Sequence, residues 1–238
     1  MAKGFTFKQF HINDHGCGMP VSTDGVLLGA WAALPLSGPI LDIGTGSGLL
    51  ALMAAQRTAK QGNPVTAIEI DNGAAMAAQC NITDSPWADR IEITHQTIQA
   101  WASQQPAGSV DTIVCNPPYF NHGEQAGCQA RAAARHTDTL PHSELLAAIG
   151  HLLSPTGSAS LILPVYEGEQ FIEAARAQQL YCQRLCKVKT TERKPPSRLL
   201  IDLRSSPAPC QTEQLVIHQN DQYSEDFIAL TKAFYLNM

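Results

Sequence analysis

Asn116-Pro117-Pro118-Tyr119 is the segment best suited to chemistry, and it directly follows the apolar run 110–115. Two consecutive prolines lack backbone N–H groups and hold φ at about −65°, so they end a strand. The side-chain oxygen of Asn116 and the carbonyl of Pro117 can both accept hydrogen bonds from one planar NH2 group, and the ring of Tyr119 can stack on a flat base or amide. The segment therefore predicts a site for a planar amine at the carboxyl edge of a sheet, where open α/β sheets bind ligands.

A glycine-rich turn lies upstream of this segment. Residues 39–43 predict a short buried strand, and Gly44-Thr45-Gly46-Ser47-Gly48 separates it from the apolar stretch 49–59, which predicts a helix. Glycines in such a turn let the backbone approach a ligand closely and leave the N–H groups of the helix start available. A second predicted strand ends in Glu69, where a carboxylate meets ribose hydroxyls in nucleotide-binding α/β folds. Together these features predict a ligand that contains a ribose.

The spacing of the glycines and the residue before them select among such ligands. A dinucleotide site uses the spacing G-x-G-x-x-G to bring a helix onto a pyrophosphate, whereas this turn has G-x-G-x-G with Asp42 just before it. A carboxylate there repels a pyrophosphate but can hold an ammonium group. S-adenosylmethionine carries an ammonium group and no phosphate, so we assign Asp42 to its methionine end and Glu69 to its ribose. Close approach is assigned to Gly44, Gly46 and Gly48.

Taken in order along the chain, these motifs resemble those of class I S-adenosylmethionine-dependent methyltransferases that act on planar amino groups. The remaining sequence is similar to the bacterial tRNA(Val) adenine N6-methyltransferase family, and the similarity covers nearly the whole chain. The segments that carry it are Phe7-Lys8-Gln9-Phe10, 23–31, Ser85-Pro86-Trp87, 193–199 and 230–235. The resemblance implies methylation of the exocyclic N6 of the adenine immediately 3′ of the anticodon, adenosine 37, in tRNA(Val).

The resemblance also implies roles for three residues with a weaker chemical signal. An acid usually follows the third strand in such enzymes and contacts the adenine of the cofactor; Thr97 stands there in this chain and offers a hydroxyl acceptor without a charge. Thr23 and Asp24 fall near the cofactor and the target pocket by the same resemblance. Helix capping is the other interpretation of these two residues, since either can cap a helix that runs to Trp31.

Alternating strands and helices predict an α/β fold with a largely parallel, doubly wound sheet. Strands are predicted near 39–43, 65–70, 91–95, 110–115, 158–164, 181–188 and 199–204, and helices near 46–59, 72–82, 142–153 and 167–178. The resemblance implies a Rossmann-like class I methyltransferase with seven strands, the last of them antiparallel. A length of 238 residues predicts a single domain, 1–238, in which 1–35 is an N-terminal elaboration covering the cofactor site and 36–238 is the catalytic core.

Positive charge is concentrated in residues 187–198, which hold five basic residues and one acid in a chain whose net charge is −5. Such a concentration predicts contact with a polyanion, here tRNA, although a solvated surface loop is the other interpretation. The expected RNA-binding residues are Arg193, Lys194 and Arg198 in this segment, with Pro118, Arg131 and Arg135 beside the reacting base.

Several classes of protein are disfavoured. The N-terminus lacks a hydrophobic signal region and no segment has about 18 uninterrupted apolar residues, which predicts a soluble cytoplasmic protein that does not enter a membrane. The seven cysteines are scattered without a C-x-x-C pair, so neither a disulfide framework nor a zinc cage is indicated. His11, His15 and Cys17 lack a fourth ligand, so we predict no metal. No obligate protein partner is evident.

Other functions share parts of this pattern. A glutamine side-chain amide also fits the amine site, which makes a protein glutamine N5-methyltransferase an alternative, and an rRNA amino-group methyltransferase is another. A noncatalytic S-adenosylmethionine-binding RNA chaperone belongs to a different class, and the intact Asn116 segment argues against it. An NAD oxidoreductase is disfavoured by the glycine spacing. The basic, tRNA-enzyme-like flanks favour tRNA as the substrate.

Overall fold

The computed structural model describes residues 4–17, 20–118 and 140–238. Its elements in chain order are β1 (Gly4–Thr6), β2 (His11–Asn13), α1 (Thr23–Trp31), β3 (Ile40–Ile43), α2 (Leu49–Arg57), β4 (Val65–Glu69), α3 (Asn72–Thr83), β5 (Ile91–His95), α4 (Ile98–Ala102), β6 (Val110–Cys115), α5 (His142–Leu152), β7 (Leu153–Pro164), α6 (Val165–Ala175), β8 (Tyr181–Thr191), β9 (Arg198–Arg204), β10 (Gln211–Gln219), β11 (Gln222–Tyr223) and α7 (Glu225–Thr231). A short 3-10 turn, Arg176–Gln178, follows α6.

The central sheet has the strand order β11-β10-β8-β9-β7-β6-β3-β4-β5. Strand β9 is antiparallel to both of its neighbours, β11 is antiparallel to β10, and the other neighbouring pairs are parallel. The α/β fold with a mostly parallel sheet is therefore confirmed. The sheet is wider than the seven strands that we expected, because β10 and β11 extend it beyond β8.

Helices cover both faces of the sheet, and the alternation along β6 shows this directly. Ile113 and Cys115 pack with α4, α5 and α6 in one apolar cluster, whereas Val114 packs with α1 and α7 in another. Strand β3 is buried along its whole length, as a central parallel strand should be. Around β3 and β6, the two layers of helices therefore leave the ends of the strands as the accessible parts of the sheet.

The start of α1 differs from the capping that we expected. Ser22 has extended backbone angles and its hydroxyl accepts a hydrogen bond from the N–H of Gly25 at 3.1 Å, so Ser22 is the N-cap. Thr23 and Asp24 are the first two residues of the helix, and the interpretation of either as its cap is wrong. Their side chains are thus available for other contacts.

The N-terminal residues pack against the C-terminal residues and against α3. Strands β1 and β2 form an antiparallel hairpin, and the ring of Phe7 stacks on Phe10 with 4.6 Å between centroids. Phe7 also forms a β-bridge with Tyr235 near the C-terminus. Asn13 at the end of β2 donates its N–H to the side-chain oxygen of Asn81 in α3 at 3.0 Å. These contacts fix the hairpin beside the glycine turn.

Candidate active site

Three neighbouring parallel strands bring the predicted site residues to one edge of the sheet. Ile43 at the end of β3 pairs with Ile68 of β4 on one side and with Cys115 of β6 on the other. The next residue on each strand is therefore a site residue: Gly44, Glu69 and Asn116. Since neighbouring strands lie about 4.8 Å apart, Glu69 and Asn116 flank the glycine turn.

The glycine turn has a backbone that other residues would strain. Gly44, Gly46 and Gly48 have φ values of 70°, 57° and 89°, in the left-handed region that favours glycine. These angles also keep the turn out of α2, which begins at Leu49 and not near 46 as we expected. A Cβ atom built on Gly44 meets nothing within 4 Å, so this side of the turn is open to a ligand.

Glu69 supports the glycine turn, and hydrogen bonds occupy most of the acceptor positions of its carboxylate. Its Oε1 accepts from the N–H groups of Ile70 and Asp71 at 2.8 and 2.9 Å, and its Oε2 accepts from the N–H of Gly46 at 2.8 Å. A carboxylate offers about four acceptor positions, so one position remains at Oε2. That position can accept a hydroxyl hydrogen while Glu69 still orders Gly46.

Asp42 lies beneath the turn and is completely buried. Its Oδ2 accepts from the hydroxyl of Thr45 at 2.6 Å and from the N–H of Ala51 at 3.0 Å, which joins the turn to the start of α2. Its other oxygen, Oδ1, is buried and has no hydrogen-bond partner among the described residues, so the contact with an ammonium group that we expected stays a prediction. Asp42 also shapes the turn that would receive the ligand.

The protonation of Asp42 depends on this burial. Burial raises the pKa of its carboxyl group to about 7, partly offset by the hydrogen bonds from Thr45 and Ala51 and reinforced by the charge of Glu69. Because the pKa is raised above its unfolded value, the carboxyl group binds its proton more tightly in the folded protein. The stability of the fold therefore decreases as the pH rises between the usual pKa of an aspartate and about 7.

Asn116, like Asp42, has a side-chain oxygen at this edge without a partner among the described residues. The residue is partly buried, and its Oδ1 is a buried atom without a hydrogen-bond partner in the described part of the chain. Pro117 is buried and Pro118 is exposed. The preceding Cys115 is buried, and burial raises the pKa of its thiol, so it remains protonated and is a poor nucleophile. Tyr119, Arg131 and Arg135 lie outside the described residues.

Thr97 follows β5 at the same edge, where we expected it. Its hydroxyl oxygen accepts from the N–H of Ala100 at 3.1 Å and so caps α4, which leaves the hydroxyl hydrogen to be donated. The neighbouring Gln96 donates its N–H to the carbonyl of Glu69 at 3.0 Å. Ile70, which sequence analysis did not single out, is 48% exposed directly after Glu69 and offers an apolar surface here.

Asp24 and Arg198 form an ion pair that sequence analysis did not anticipate. The Nε atom of Arg198 lies 2.7 Å from Oδ2 of Asp24, and the two side chains are 26% and 19% exposed. We expected Asp24 to bind the cofactor and Arg198 to bind RNA, but much of each charge is used by the other. The start of α1 lies beside the glycine turn, since a Cβ atom on Gly25 would come within 2.8 Å of Leu49. The pair thus links the turn to β9.

Arg193 and Lys194, which we also expected to bind RNA, lie in the connection between β8 and β9. Strand β8 runs parallel to β6 and β7, so its end at Thr191 lies at the same edge of the sheet as Asn116. Arg193 and Lys194 are exposed in the following turn, and neither has an ion pair to any residue that the structure describes. Four strand spacings or fewer separate this turn from the glycine turn, a span of about 20 Å.

Asn81 is a site residue that sequence analysis missed. It is 3% exposed, and its amide NH2 donates to the carbonyl of Ser47 in the glycine turn at 2.8 Å and to the carbonyl of Asn13 at 2.9 Å. Its oxygen accepts from the N–H of Asn13. One buried amide therefore ties the N-terminal hairpin to the glycine turn. An Asn near the end of an Ala-rich helix has no sequence pattern that reveals such a role.

The described ranges contain neither a cluster of metal-ligating side chains nor a membrane-spanning helix. No three His, Cys, Asp or Glu side chains there lie close enough together to hold a metal ion. No helix among these residues has the length and apolar character needed to cross a membrane.

Solved structures and a family model match the fold. The model of the Methyltransferase small domain matches residues 24–140. A chain from Agrobacterium tumefaciens described as a predicted O-methyltransferase has a TM-score of 0.70 at 17% identity, covering 89% of this chain and 96% of that one. A glycopeptide N-methyltransferase solved with S-adenosylmethionine has a TM-score of 0.54 at 15% identity, covering 79% and 100%. At these identities the likeness concerns the fold alone.

Named relatives match along the whole sequence. A tRNA1(Val) (adenine(37)-N6)-methyltransferase from Photobacterium profundum is 61% identical over 241 residues, covering 100% of each chain. Relatives of the same name from Aliivibrio salmonicida and Aliivibrio fischeri are 53% and 51% identical over 238 residues, again with 100% of each chain covered. The resemblance inferred from the motifs is confirmed, and the chain belongs to the tRNA1(Val) (adenine(37)-N6)-methyltransferase family.

Proposed function

We propose that this enzyme transfers the methyl group of S-adenosylmethionine to the exocyclic N6 of adenosine 37 in tRNA(Val). The observation that carries the proposal is the buried Oδ1 of Asn116, which lacks a partner in the described ranges and stands beside the open glycine turn. An acceptor in that state favours a ligand that donates hydrogen bonds, because an unsatisfied buried acceptor is costly. The names of the relatives supply the identity of the amine.

The residues around the glycine turn suit S-adenosylmethionine, which supplies an electrophilic methyl group on a sulfonium when bound. We assign close approach of the cofactor to Gly44, Gly46 and Gly48, of which Gly44 faces open space. The remaining acceptor position of Glu69 suits a ribose hydroxyl. Asp42 acts through the turn that it supports. The cofactor site in this proposal also includes Ile70 after β4, Thr97 after β5 and Thr23 at the start of α1.

Asn116 and Pro117 make the amine nitrogen more nucleophilic and orient its lone pair. The lone pair of an adenine amino nitrogen is delocalised into the ring, which makes the nitrogen a weak nucleophile. Hydrogen bonds from its two N–H groups to the Asn116 oxygen and the Pro117 carbonyl favour a pyramidal nitrogen whose lone pair faces the methyl group. The ring of Tyr119 is proposed to stack on the base. Such positioning is worth effective molarities of about 10⁵ M or more.

A strong general base is unnecessary in this mechanism. The nitrogen becomes positively charged when it receives the methyl group, so its proton becomes acidic and can pass to water. Consistent with this, the thiol of Cys115, the residue before Asn116, is held protonated by burial that raises its pKa. The groups that matter are therefore acceptors with fixed positions.

The RNA is proposed to lie along the same edge of the sheet. The base at position 37 leaves its stack and enters the pocket, which costs less in a single-stranded anticodon loop than in a duplex. Pro118, Arg131 and Arg135 are proposed to lie beside the reacting base. Arg193 and Lys194 then contact phosphates farther along the anticodon arm, while Arg198 holds the start of α1 through Asp24.

We also infer that the chain works as one domain, with 1–35 contributing to the cofactor side and 36–238 forming the core. The contacts of Asn81 with Asn13 and Ser47 support this, because one buried side chain serves both parts. As an enzyme acting on tRNA, the protein is proposed to work in the cytoplasm, without an obligate protein partner or a metal.

The test is methylation of an unmodified valine tRNA transcript with a radioactive methyl donor and no added metal, followed by digestion and mass spectrometry of the nucleosides. We expect N6-methyladenosine at position 37. Unmodified ribosomal RNA and a release-factor protein are offered in parallel. Methylation of the protein but not of the tRNA would favour the glutamine N5-methyltransferase alternative, and methylation of ribosomal RNA alone would favour the rRNA alternative.

A further inference from the structure

Two thiols lie next to each other at the edge of the sheet opposite to the active site. Cys182 is the second residue of β8, and Cys210 immediately precedes β10. Because β8 and β10 are parallel, both cysteines are at the amino edge of the sheet. Their Sγ atoms are 3.6 Å apart. Both are free thiols in the structure, Cys210 exposed and Cys182 partly buried.

We propose that Cys182 and Cys210 form a redox-active pair that a peroxide converts into an intramolecular disulfide. A disulfide has an S–S distance of about 2.05 Å, so the sulfurs need to approach by about 1.5 Å. The backbone on both sides allows this movement. Cys210 ends the irregular connection that follows β9, and Cys182 lies beside a shift of register between β8 and β9.

The different environments of the two thiols give an order of reaction. Cys210 is exposed, so it meets the oxidant first. Burial, with the neighbouring Cys210, raises the pKa of Cys182 to about 12, which keeps that thiol protonated and unreactive toward the peroxide itself. Cys182 is left for the second step, where the sulfenic sulfur of Cys210 forms directly beside it and the leaving hydroxyl takes up its proton.

The steps balance with hydrogen peroxide as the oxidant. The Cys210 thiolate attacks one peroxide oxygen, the O–O bond breaks, and a sulfenic acid forms while the other oxygen leaves as hydroxide and takes up a proton to become water. The sulfur of Cys182 then attacks the sulfenic sulfur. The S–S bond forms, the S–O bond breaks, and the leaving hydroxyl takes the Cys182 proton as a second water. Two thiols lose two protons and two electrons, and one peroxide becomes two waters.

The disulfide would constrain one part of the molecule. It closes a loop from residue 182 to residue 210 that contains nearly all of the hairpin β8–β9 and the turn with Arg193 and Lys194. Closing a loop of this length restricts the unfolded chain and raises the temperature of unfolding, by roughly 5 °C or more. Because the bond lies at the opposite edge from Asn116, the rate of methyl transfer should remain within about twofold.

The experiment uses the reduced full-length protein treated with hydrogen peroxide, then N-ethylmaleimide, proteolysis and mass spectrometry. We expect a linked peptide pair that contains Cys182 and Cys210 and has lost two hydrogen atoms, which dithiothreitol separates again. Cys80→Ser is the matched control, because Cys80 is exposed without a sulfur partner among the described residues, and it should not alter the link. Cys182→Ser should lead Cys210 to the sulfinic acid.

Three outcomes would overturn the proposal. One is conversion of Cys210 to a sulfinic acid in the native protein without any linked peptide. Another is a link that appears only after denaturation, since the structure places the thiols together in the folded state. The third is a disulfide joining Cys182 or Cys210 to a different cysteine. All three are measured on the native sequence, so they do not depend on whether Cys182→Ser folds.

Discussion

The two halves of the candidate active site differ in how far their polar groups already satisfy one another. On the cofactor side, Glu69 accepts three backbone N–H groups and Oδ2 of Asp42 accepts two hydrogen bonds within the protein, and only Oδ1 of Asp42 lacks a partner among the described residues. On the amine side, the oxygen of Asn116 is buried and accepts no hydrogen bond from the described residues. Most acceptors of the cofactor side therefore keep the shape of the turn, whereas the acceptor of the amine side is left for a donor.

Because of this difference, substitutions in the two halves should impair different steps of the reaction. A substitution on the cofactor side removes bonds that shape the pocket, so it should weaken binding of the methyl donor. A substitution of Asn116 removes a bond that forms only with substrate, so it should slow the transfer itself. The Asp24–Arg198 pair joins the cofactor side to the start of β9, next to the β8–β9 turn, so its loss should affect binding of both the methyl donor and the RNA.

Asn116→Ala is expected to have the largest effect. It should lower kcat by about 10² or more, the scale seen when a preorganised transition-state group is removed, while leaving the affinity for S-adenosylmethionine nearly unchanged. Turnover on unmodified valine tRNA and calorimetric binding of the donor measure the two quantities. Asn116→Asp, which retains acceptor oxygens, should lose less. A wild-type kcat in Asn116→Ala would remove this residue from the mechanism.

Glu69→Ala should mainly weaken binding of the methyl donor, whereas Asn116→Ala mainly slows the transfer. Loss of the carboxylate removes both the hydroxyl acceptor and the bond that orders Gly46, so donor affinity should fall about tenfold, or roughly 1.4 kcal/mol. Glu69→Gln should recover little, because its NH2 group would face a backbone N–H. Calorimetry gives the dissociation constants. Unchanged affinity would mean that the ribose lies elsewhere.

Asn81 tests whether the N-terminal hairpin belongs to the cofactor side. In Asn81→Ala the buried carbonyls of Ser47 and Asn13 lose their donor, at a cost of about 1–3 kcal/mol in stability, and donor affinity should fall several-fold. Asn81→Asp keeps the acceptor for Asn13 but still loses both donations, so it should resemble Asn81→Ala. Denaturant unfolding and calorimetry provide the readouts. Full donor affinity in both variants would separate the hairpin from the cofactor site.

The bridging pair is tested by a double-mutant cycle of Asp24→Ala and Arg198→Ala. If the two residues act on each other, the double variant should be less impaired than the sum of the single ones, with a coupling energy of about 1 kcal/mol in the KM for tRNA. Effects that simply add would indicate that Asp24 and Arg198 bind cofactor and RNA independently, as the sequence alone suggested.

The smallest effect is expected from neutralising the exposed cations of the β8–β9 turn. Arg193→Ala combined with Lys194→Ala should raise the KM for tRNA a few-fold and reduce the slope of log KM against log salt concentration by nearly one unit for each lost phosphate contact. Lys60→Ala, an exposed cation after α2, is the control and should leave the slope unchanged. An identical slope in the double variant would place the RNA elsewhere.

The strands that hold the site were predictable because their sequences are short apolar runs with clear ends. Glycines end β3, an acid ends β4 and prolines end β6, so Gly44, Glu69 and Asn116 could be assigned to one edge before any coordinates. Strand β10 was missed for a physical reason. Its first four residues are exposed and polar, since it lies near the outer edge of the sheet and has little apolar surface to bury.

The contacts that sequence analysis missed are between residues far apart in the chain. Asp24 and Arg198 are separated by 174 residues, and Asn81 and Asn13 by 68. Local patterns carry no information about such pairs. The cap of α1 was assigned wrongly for another reason: Ser22, Thr23 and Asp24 are three suitable capping residues in a row, and only the backbone angles distinguish them.

The most direct test of the central claim is single-turnover methyl transfer to two valine tRNA transcripts that differ only at position 37, one with adenine and one with guanine. Each is measured with the native protein and with Asn116→Ala at a saturating concentration of methyl donor. The account predicts rapid labelling of the adenine transcript by the native protein, a rate lower by about 10² or more with Asn116→Ala, and no label in the guanine transcript. Label in the guanine transcript, or equal rates for the two proteins, would contradict it.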